Sequence, residues 1–226
     1  IPAGKMAPVD AATLIADNFG GPGMTNYRFF NAREPGWISK LEISAYLATE
    51  DLFYLNAARL KHAAIHQSSL ATGDHGFHYH KLPNGHCNCP DEEKHYGEAG
   101  FMLGVEMTAQ KMYYDVTGDE RIARDIVGTA QFIADTMWVP EVLGFRYTSC
   151  PKTGASTGRA WIQMQGMAFA ARYADDERLA DICRRSIAAG WSSIPSSGKS
   201  AGYFLCGSAQ ALDELAHLPG PSFAEF

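Results

Sequence analysis

Apolar residues recur at helical spacing along most of this chain, and that periodicity leaves few folds open to it. Phe53, Ala57, Leu60 and Ala64 follow the acidic turn Thr49-Glu50-Asp51. Phe101, Val105 and Met112, with Met102, Ala109 and Tyr113 alongside, make a second run. A third stripe holds Ile122, Ile126, Ala130, Ile133 and Met137, and a fourth holds Trp161, Met164, Ala168 and Ala171. Leu179, Ile182 and Ile187 form a fifth, and a sixth covers about 201–217. Strand-like alternation is confined to Gly144-Phe145-Arg146-Tyr147. The fold class that follows is all-α. The 226 residues are 46% apolar and 19% charged, enough for one sizeable core and too apolar for global disorder. A net charge of -6 with no run of Lys or Arg argues against nucleic acid as a partner. No apolar stretch is long enough to span a bilayer.

Two of the runs repeat each other. Tyr114–Trp138 and Tyr173–Trp191 both read as Tyr, a tight turn, Asp-Glu-Arg, an apolar helix and a closing Trp. Asp119 and Asp176 are 57 positions apart, a suitable length for one helical hairpin with its loop. Each Asp is placed to N-cap the second helix of its hairpin, and Gly118 to supply a left-handed C-cap for the helix before it. The turns at 117–118 and 174–175 are short, whereas the connections at 71–96, 139–156 and 192–200 are long. Alternate connections of stacked antiparallel hairpins lie at opposite ends, so the three long loops are expected to gather on one face. Such loops on a rigid frame are where binding and catalysis concentrate. Residues 1–38 are read as an irregular N-terminal segment, 39–218 as the helical-hairpin domain and 219–226 as a C-terminal tail.

The run Tyr96-Gly97-Glu98-Ala99-Gly100-Phe101, followed by Tyr113-Tyr114-Asp115-Val116-Thr117-Gly118-Asp119-Glu120-Arg121, resembles the α/α-toroid enzymes, namely the six-hairpin glycosidases and the helical polysaccharide lyases. In that group an inner helix ends in a Tyr-x-x-Thr-Gly-Asp turn that starts an outer helix. The Gly144–Tyr147 segment and the helix after Ala160 fit the same layout. The resemblance covers roughly residues 50–217 and implies an α/α toroid acting on a polysaccharide or oligosaccharide. Six hairpins of this length would need about 340 residues. Only part of a toroid is therefore expected here, with further hairpins coming from the same or another chain.

Residues 72–98, TGDHGFHYHKLPNGHCNCPDEEKHYGE, hold five of the eight histidines and two of the five cysteines. Three chemistries compete for this loop. His86, Cys87, Cys89 and His95 are ligand types suited to zinc, although their spacing matches no strong zinc pattern. Cys87 and Cys89 are poorly placed to bond to each other. Lyase chemistry needs a base, an acid and a group that offsets the substrate carboxylate. His78 or His80 with Tyr79 or Tyr96 are the candidates for base and acid, and Asn84, Asn88 or His86 for holding the carboxylate; the resemblance to helical lyases, which use His, Tyr and Asn, supports the chemistry without identifying positions. Hydrolysis needs paired carboxylates. Asp74, Asp91, Glu92 and Glu98 are available, with Glu98 best placed at the start of an inner helix. Beyond the loop, Trp161, Trp138, Trp191 and Tyr147 are sugar-stacking or core aromatics. Arg146 and Arg159 are anion-binding or merely solvated. His62 and His66, one helical turn apart, are read as a polar helix face.

The expected function is a carbohydrate-active toroid, with a polysaccharide lyase placed ahead of a glycoside hydrolase. The rival is a non-catalytic helical repeat module for binding or assembly, its His/Cys loop held by a disulfide or a metal. No cofactor is fixed by the sequence, and zinc is the candidate. The opening Ile1-Pro2-Ala3 is no signal peptide and reads as the start of a processed or excerpted segment, which leaves the compartment open with secretion or the periplasm ahead.

Overall fold

A computed structural model describes residues 31–157, 161–192 and 199–219. Seven α-helices run through the described residues: α1 (Arg33–Thr49), α2 (Leu52–Thr72), α3 (Gly100–Thr117), α4 (Glu120–Thr136), α5 (Met164–Ala174), α6 (Glu177–Trp191) and α7 (Lys199–Leu215). Odd-numbered helices pack side by side as α1–α3, α3–α5 and α5–α7, and α4 touches α2 and α6 in a second row. Burial separates the rows. In α3 the residues Met102–Gln110 are all buried, and in α5 so are Met164–Ala171. In α4 and α6 burial follows a stripe through Ile122, Ile126 and Ile133, or Leu179, Ile182 and Ile187. A helix buried almost all round is interior, and a striped one has solvent on its other side. The protein is therefore all-α, an inner row and an outer row of antiparallel hairpins forming part of an α/α toroid. No helix among the described residues is long and apolar enough to cross a membrane.

The three inner-to-outer turns share one device. Each ends its inner helix on a left-handed residue, namely Glu50 (φ 59°), Gly118 (φ 66°) and Asp175 (φ 52°). The next residue is an Asp that caps the outer helix. Asp51 accepts from the Phe53 N–H at 2.9 Å, Asp119 from Arg121 at 3.1 Å and Asp176 from Leu179 at 3.1 Å. In the first two turns a Thr hydroxyl joins in, Thr49 accepting from Asp51 N–H and Thr117 from Asp119 N–H. The repeat read from two hairpins thus extends to a third. Replacing Asp119 with Ala is expected to cost about 1 kcal/mol in denaturant unfolding, the usual worth of an N-cap; an unchanged midpoint would remove the cap from the account.

Two elements depart from the sequence reading. Helix α1 begins at Arg33, inside the segment read as irregular. Its buried face carries Ser39 and Glu42, which interrupt the apolar stripe, and Pro35 sits in its first turn, where a missing N–H costs nothing. In α2 the buried residues are Tyr54, Ala57, Ala58, Lys61, His62, Ile65 and Ser69, while Phe53 and Leu60 are exposed. The stripe is rotated because polar partners await on the inner row: Glu42 accepts from the Lys61 ammonium, and Ser39 Oγ lies 2.7 Å from His62 Nε2.

Two of the long connections, 71–96 and 139–156, converge at one end, as expected, whereas most of the third, 192–200, lies outside the described residues. β1 (His80–Lys81) pairs antiparallel with β2 (Tyr96–Gly97). β3 (Trp138–Val139), β4 (Gly144–Arg146) and β5 (Ala155–Ser156) form a second small antiparallel sheet. The bridge Ala99–Thr148 ties the two loops together at the N-terminus of α3.

Candidate functional site

Pleating of the β1 ribbon sorts the histidines and tyrosines, because alternate side chains leave opposite faces. His78 and His80 stack on each other, with ring centroids 5.5 Å apart and planes at 10°. His78 Nδ1 also lies 2.6 Å from Ser68 Oγ on α2, and burial, followed by the neighbouring His80, lowers its pKa. Tyr79 instead joins His75, Phe77 and Phe132 of α4, with Tyr96 beside it at 5.6 Å. Of this expected catalytic set, His78 thus rests on outer helix α2 and Tyr79 on α4, with His80 and Tyr96 packed beside them. The structure brings them together as two pairs, His78 with His80 and Tyr79 with Tyr96.

His86 lies elsewhere, over the start of α3. Its backbone carbonyl accepts from Thr148 Oγ1 at 2.8 Å, which fixes one long loop to the other. Beneath it is Glu98, 1% exposed. Glu98 Oε1 accepts from the Ala99 N–H at 2.7 Å, and Oε2 from the Ala32 N–H at 3.1 Å. His86 Nδ1 stands 3.9 Å from Glu98 Oε1 and has no hydrogen-bond partner among the described residues. The half-exposed Tyr147 ring meets His86 edge-on at 5.7 Å and stacks with Phe101 at 5.8 Å. A buried carboxylate, an imidazole and two aromatic rings therefore meet at the N-terminal end of an inner helix, on the face where the long loops gather.

The remaining expected ligand residues are more dispersed. Asn84 Oδ1 accepts from the Lys94 ammonium and Asn88 Oδ1 from the Gly85 N–H, so both amides serve the loop itself. Arg146 is half-buried in β4. Trp161 is 3% exposed and packs edge-on against Phe204 at 4.6 Å. It is a core residue, and no face of its ring is open to a sugar. Asp91 and Glu92 sit on an exposed 3-10 turn, Asp91 paired with Lys94 at 2.8 Å. Arg159 lies outside the described residues. His62 and His66 are not a surface pair: burial drives His62 down to about 3, and His66 Nδ1 is 3.0 Å from both oxygens of Asp125.

The sulfur chemistry also rearranges. Among the described residues, the metal-binding side chains that converge are Cys87, Cys89 and Cys150, all buried, with sulfurs within 4.8 Å of one another. His86 and His95, expected beside the cysteines, are not in this group; Cys150, 61 positions beyond Cys89, takes their place. Burial acts to raise the Cys87 thiol, but the N–H groups of His95 and Cys89 bring it below the ordinary thiol range. Burial pushes Cys150 up.

A buried polar layer beneath the face was not anticipated from the sequence. It holds the Glu42–Lys61 pair, Asp125 with His66, and Glu106 on α3. Glu106 is held well above the usual carboxylate range by burial first, then by the charges of Glu98 and Asp125. Its position two turns below Glu98 on the inward side of α3 was the available signal, hidden among the apolar residues of an all-buried helix.

No protein-family model and no curated protein matches the sequence. Among solved structures, the chain is similar to a GH76 alpha-mannanase of Bacteroides thetaiotaomicron, determined as a selenomethionine derivative, with a TM-score of 0.60 at 16% identity. The match covers 89% of this chain and 59% of that one, so the chain spans less than two thirds of the mannanase's length. The likeness is one of fold.

Proposed function

We propose that this chain is a carbohydrate-active α/α-toroid domain that hydrolyses glycosidic bonds, with the sugar held on the long-loop face around His86, Glu98, Tyr147 and Phe101. The observation that carries this reading is the meeting of a fixed carboxylate, an imidazole and stacked aromatic rings at the N-terminus of inner helix α3. Aromatic faces pack on sugar C–H groups, and a carboxylate held by two N–H groups needs no reorganisation to act on a developing positive charge. The similarity in fold to an enzyme named as an alpha-mannanase supports hydrolysis, with an oligo- or polysaccharide such as an α-mannan as substrate class. It replaces the lyase preference, two of whose residues, His78 and Tyr79, rest against outer helices α2 and α4. In this reading Glu98 is one of the two carboxylates that hydrolysis requires.

One observation favours a second reading, a sugar-binding module without turnover: both Glu98 oxygens are committed to backbone N–H groups. Incubation with α-mannan, other neutral glycans and uronate polymers separates the readings. New reducing ends from a neutral glycan support hydrolysis, and unsaturated product absorbance would restore the lyase. Binding with no product would establish the module. If turnover occurs, Glu98→Gln is expected to lower kcat/KM by about 10²-fold or more, the scale for a positioned acid–base group, with the fold retained by circular dichroism.

A further inference from the structure

We propose that Cys87, Cys89 and Cys150 bind one zinc ion as three thiolates, and that this ion staples the two long loops to each other over the start of α3. The geometry carries the inference. Cys87 and Cys150 sulfurs are 3.5 Å apart, Cys89 and Cys150 sulfurs 4.0 Å, and the three lie within 4.8 Å of one another. Thiolates bound to zinc at about 2.3 Å stand about 3.8 Å apart along a tetrahedral edge. A disulfide would need about 2.05 Å. Three sulfurs also cannot all be satisfied by pairing, since any disulfide leaves the third thiol alone in the same pocket.

The surroundings suit thiolates. Cys87 and Cys150 are fully buried and Cys89 nearly so, in a small cluster whose other member is Leu82. Into this pocket the backbone directs donors at sulfur. The N–H groups of His95 and Cys89 reach Cys87, and that of Lys152 reaches Cys150. The exposed Lys152 ammonium is close enough for its charge to act on Cys89, and it also pairs with Glu93 at 3.7 Å. N–H groups turned onto ligating sulfur are the kind of outer contact that orients a metal's ligands. Two of the three ligands, Cys87 and Cys150, also sit in closed turns. Cys87 N–H donates to Pro83 O at 3.0 Å, closing a turn, and Thr153 N–H donates to Cys150 O at 3.0 Å, closing the opposing one. Three thiolates around a divalent ion leave one negative charge, which the Lys152 ammonium offsets. Cys89, at 6% exposure, is the ligand nearest solvent, and the three sulfurs leave one position of the tetrahedron to a fourth ligand. Thiolate softness selects zinc over magnesium or calcium.

The site is independent of the proposed hydrolysis, and its test does not use activity. Elemental analysis of the chain purified under reductant is expected to find roughly one zinc per chain, since deprotonated ligands and metal form together. Cys150→Ser is expected to lose zinc at least tenfold, whereas His86→Ala and His95→Ala keep it. Should the Cys150 variant not fold, the unaltered protein still decides. Its three thiols should resist alkylation until a chelator is added, then react together as zinc is released. Absence of stoichiometric zinc, a different stoichiometric metal, zinc loss in either histidine variant, or a peptide cross-linked through Cys87–Cys150 or Cys89–Cys150 would each overturn the assignment.

Discussion

Gly76→Ala is expected to lower the unfolding free energy by about 3 kcal/mol, combining left-handed strain with overpacking. Gly76 sits at φ +79°, and a Cβ built on it would stand 1.8 Å from the carbonyl oxygen of Asp125 and 2.7 Å from Thr129 Oγ1. The first of these is helix backbone and cannot rotate away. Nor can the loop retreat easily. Gly76 N–H donates to Ser69 Oγ on α2 at 2.8 Å, Gln110 Nε2 on α3 donates to Gly76 O at 3.4 Å, and Thr129 Oγ1 on α4 donates to His75 O at 3.3 Å. Three helices thus clamp the point where the His-rich loop leaves α2, and Phe77, next in the chain, is fully buried. Gly85 supplies the control. It has φ +87° but nothing within 4 Å of its Cβ, so Gly85→Ala should cost only the conformational strain, about 1 kcal/mol. Urea unfolding of both variants measures the difference, and equal costs would mean that the close approach at Gly76 relaxes freely.

Outer helices α4 and α6 were legible in the sequence because solvent on one side enforces a stripe; Ile122, Ile126, Ala130 and Ile133 are all buried. Helix α1 was not, because it meets α2 through Ser39 and Glu42. The same polar pairing rotated the stripe of α2 away from Phe53 and Leu60. Polar residues that satisfy one another inside a two-row helical fold look like surface residues in a sequence, and only the partner's position shows otherwise. The candidate site was legible in part. Glu98 stood out by its place at a helix start, and the structure puts a second-loop partner, Thr148, over it through the His86 carbonyl. Cys150 was illegible because its neighbours lie across a β-bridge some 60 residues back in the chain. Trp161 stayed open between sugar-stacking and core because a loop aromatic and a core aromatic share one signature; in the fold it is buried, and the α7 backbone passes close to it at Gly207, where a Cβ would stand 2.0 Å from the Trp161 carbonyl.

Glu106→Gln is expected to stabilise the protein at neutral pH, by a margin that grows with pH and disappears near pH 4. Glu106 is 2% exposed, and its Oε1 has no hydrogen-bond partner among the described residues. Burial, reinforced by the charges of Glu98 and Asp125, raises its pKa well above the ordinary value of 4.5. The folded protein therefore keeps a proton on Glu106 over a pH range in which the unfolded chain has released it. Because the native state binds more protons there, stability falls as pH rises above the unfolded pKa, by about 1.4 kcal/mol per pH unit from this group, until Glu106 ionises in the fold. Gln keeps the shape and carries no such proton, so the variant escapes the loss. Neighbouring groups titrate as well. Burial raises Glu42 to about 7, adding to the fall with pH, whereas buried His62, lowered to about 3, opposes it by losing stability in acid. Both are common to the two proteins, so the difference between their urea-unfolding curves from pH 4 to 8 isolates Glu106. A difference that stays flat across that range would show that Glu106 ionises as readily in the fold as in the unfolded chain, and would mean that water or an unseen cation reaches it beneath the loop face.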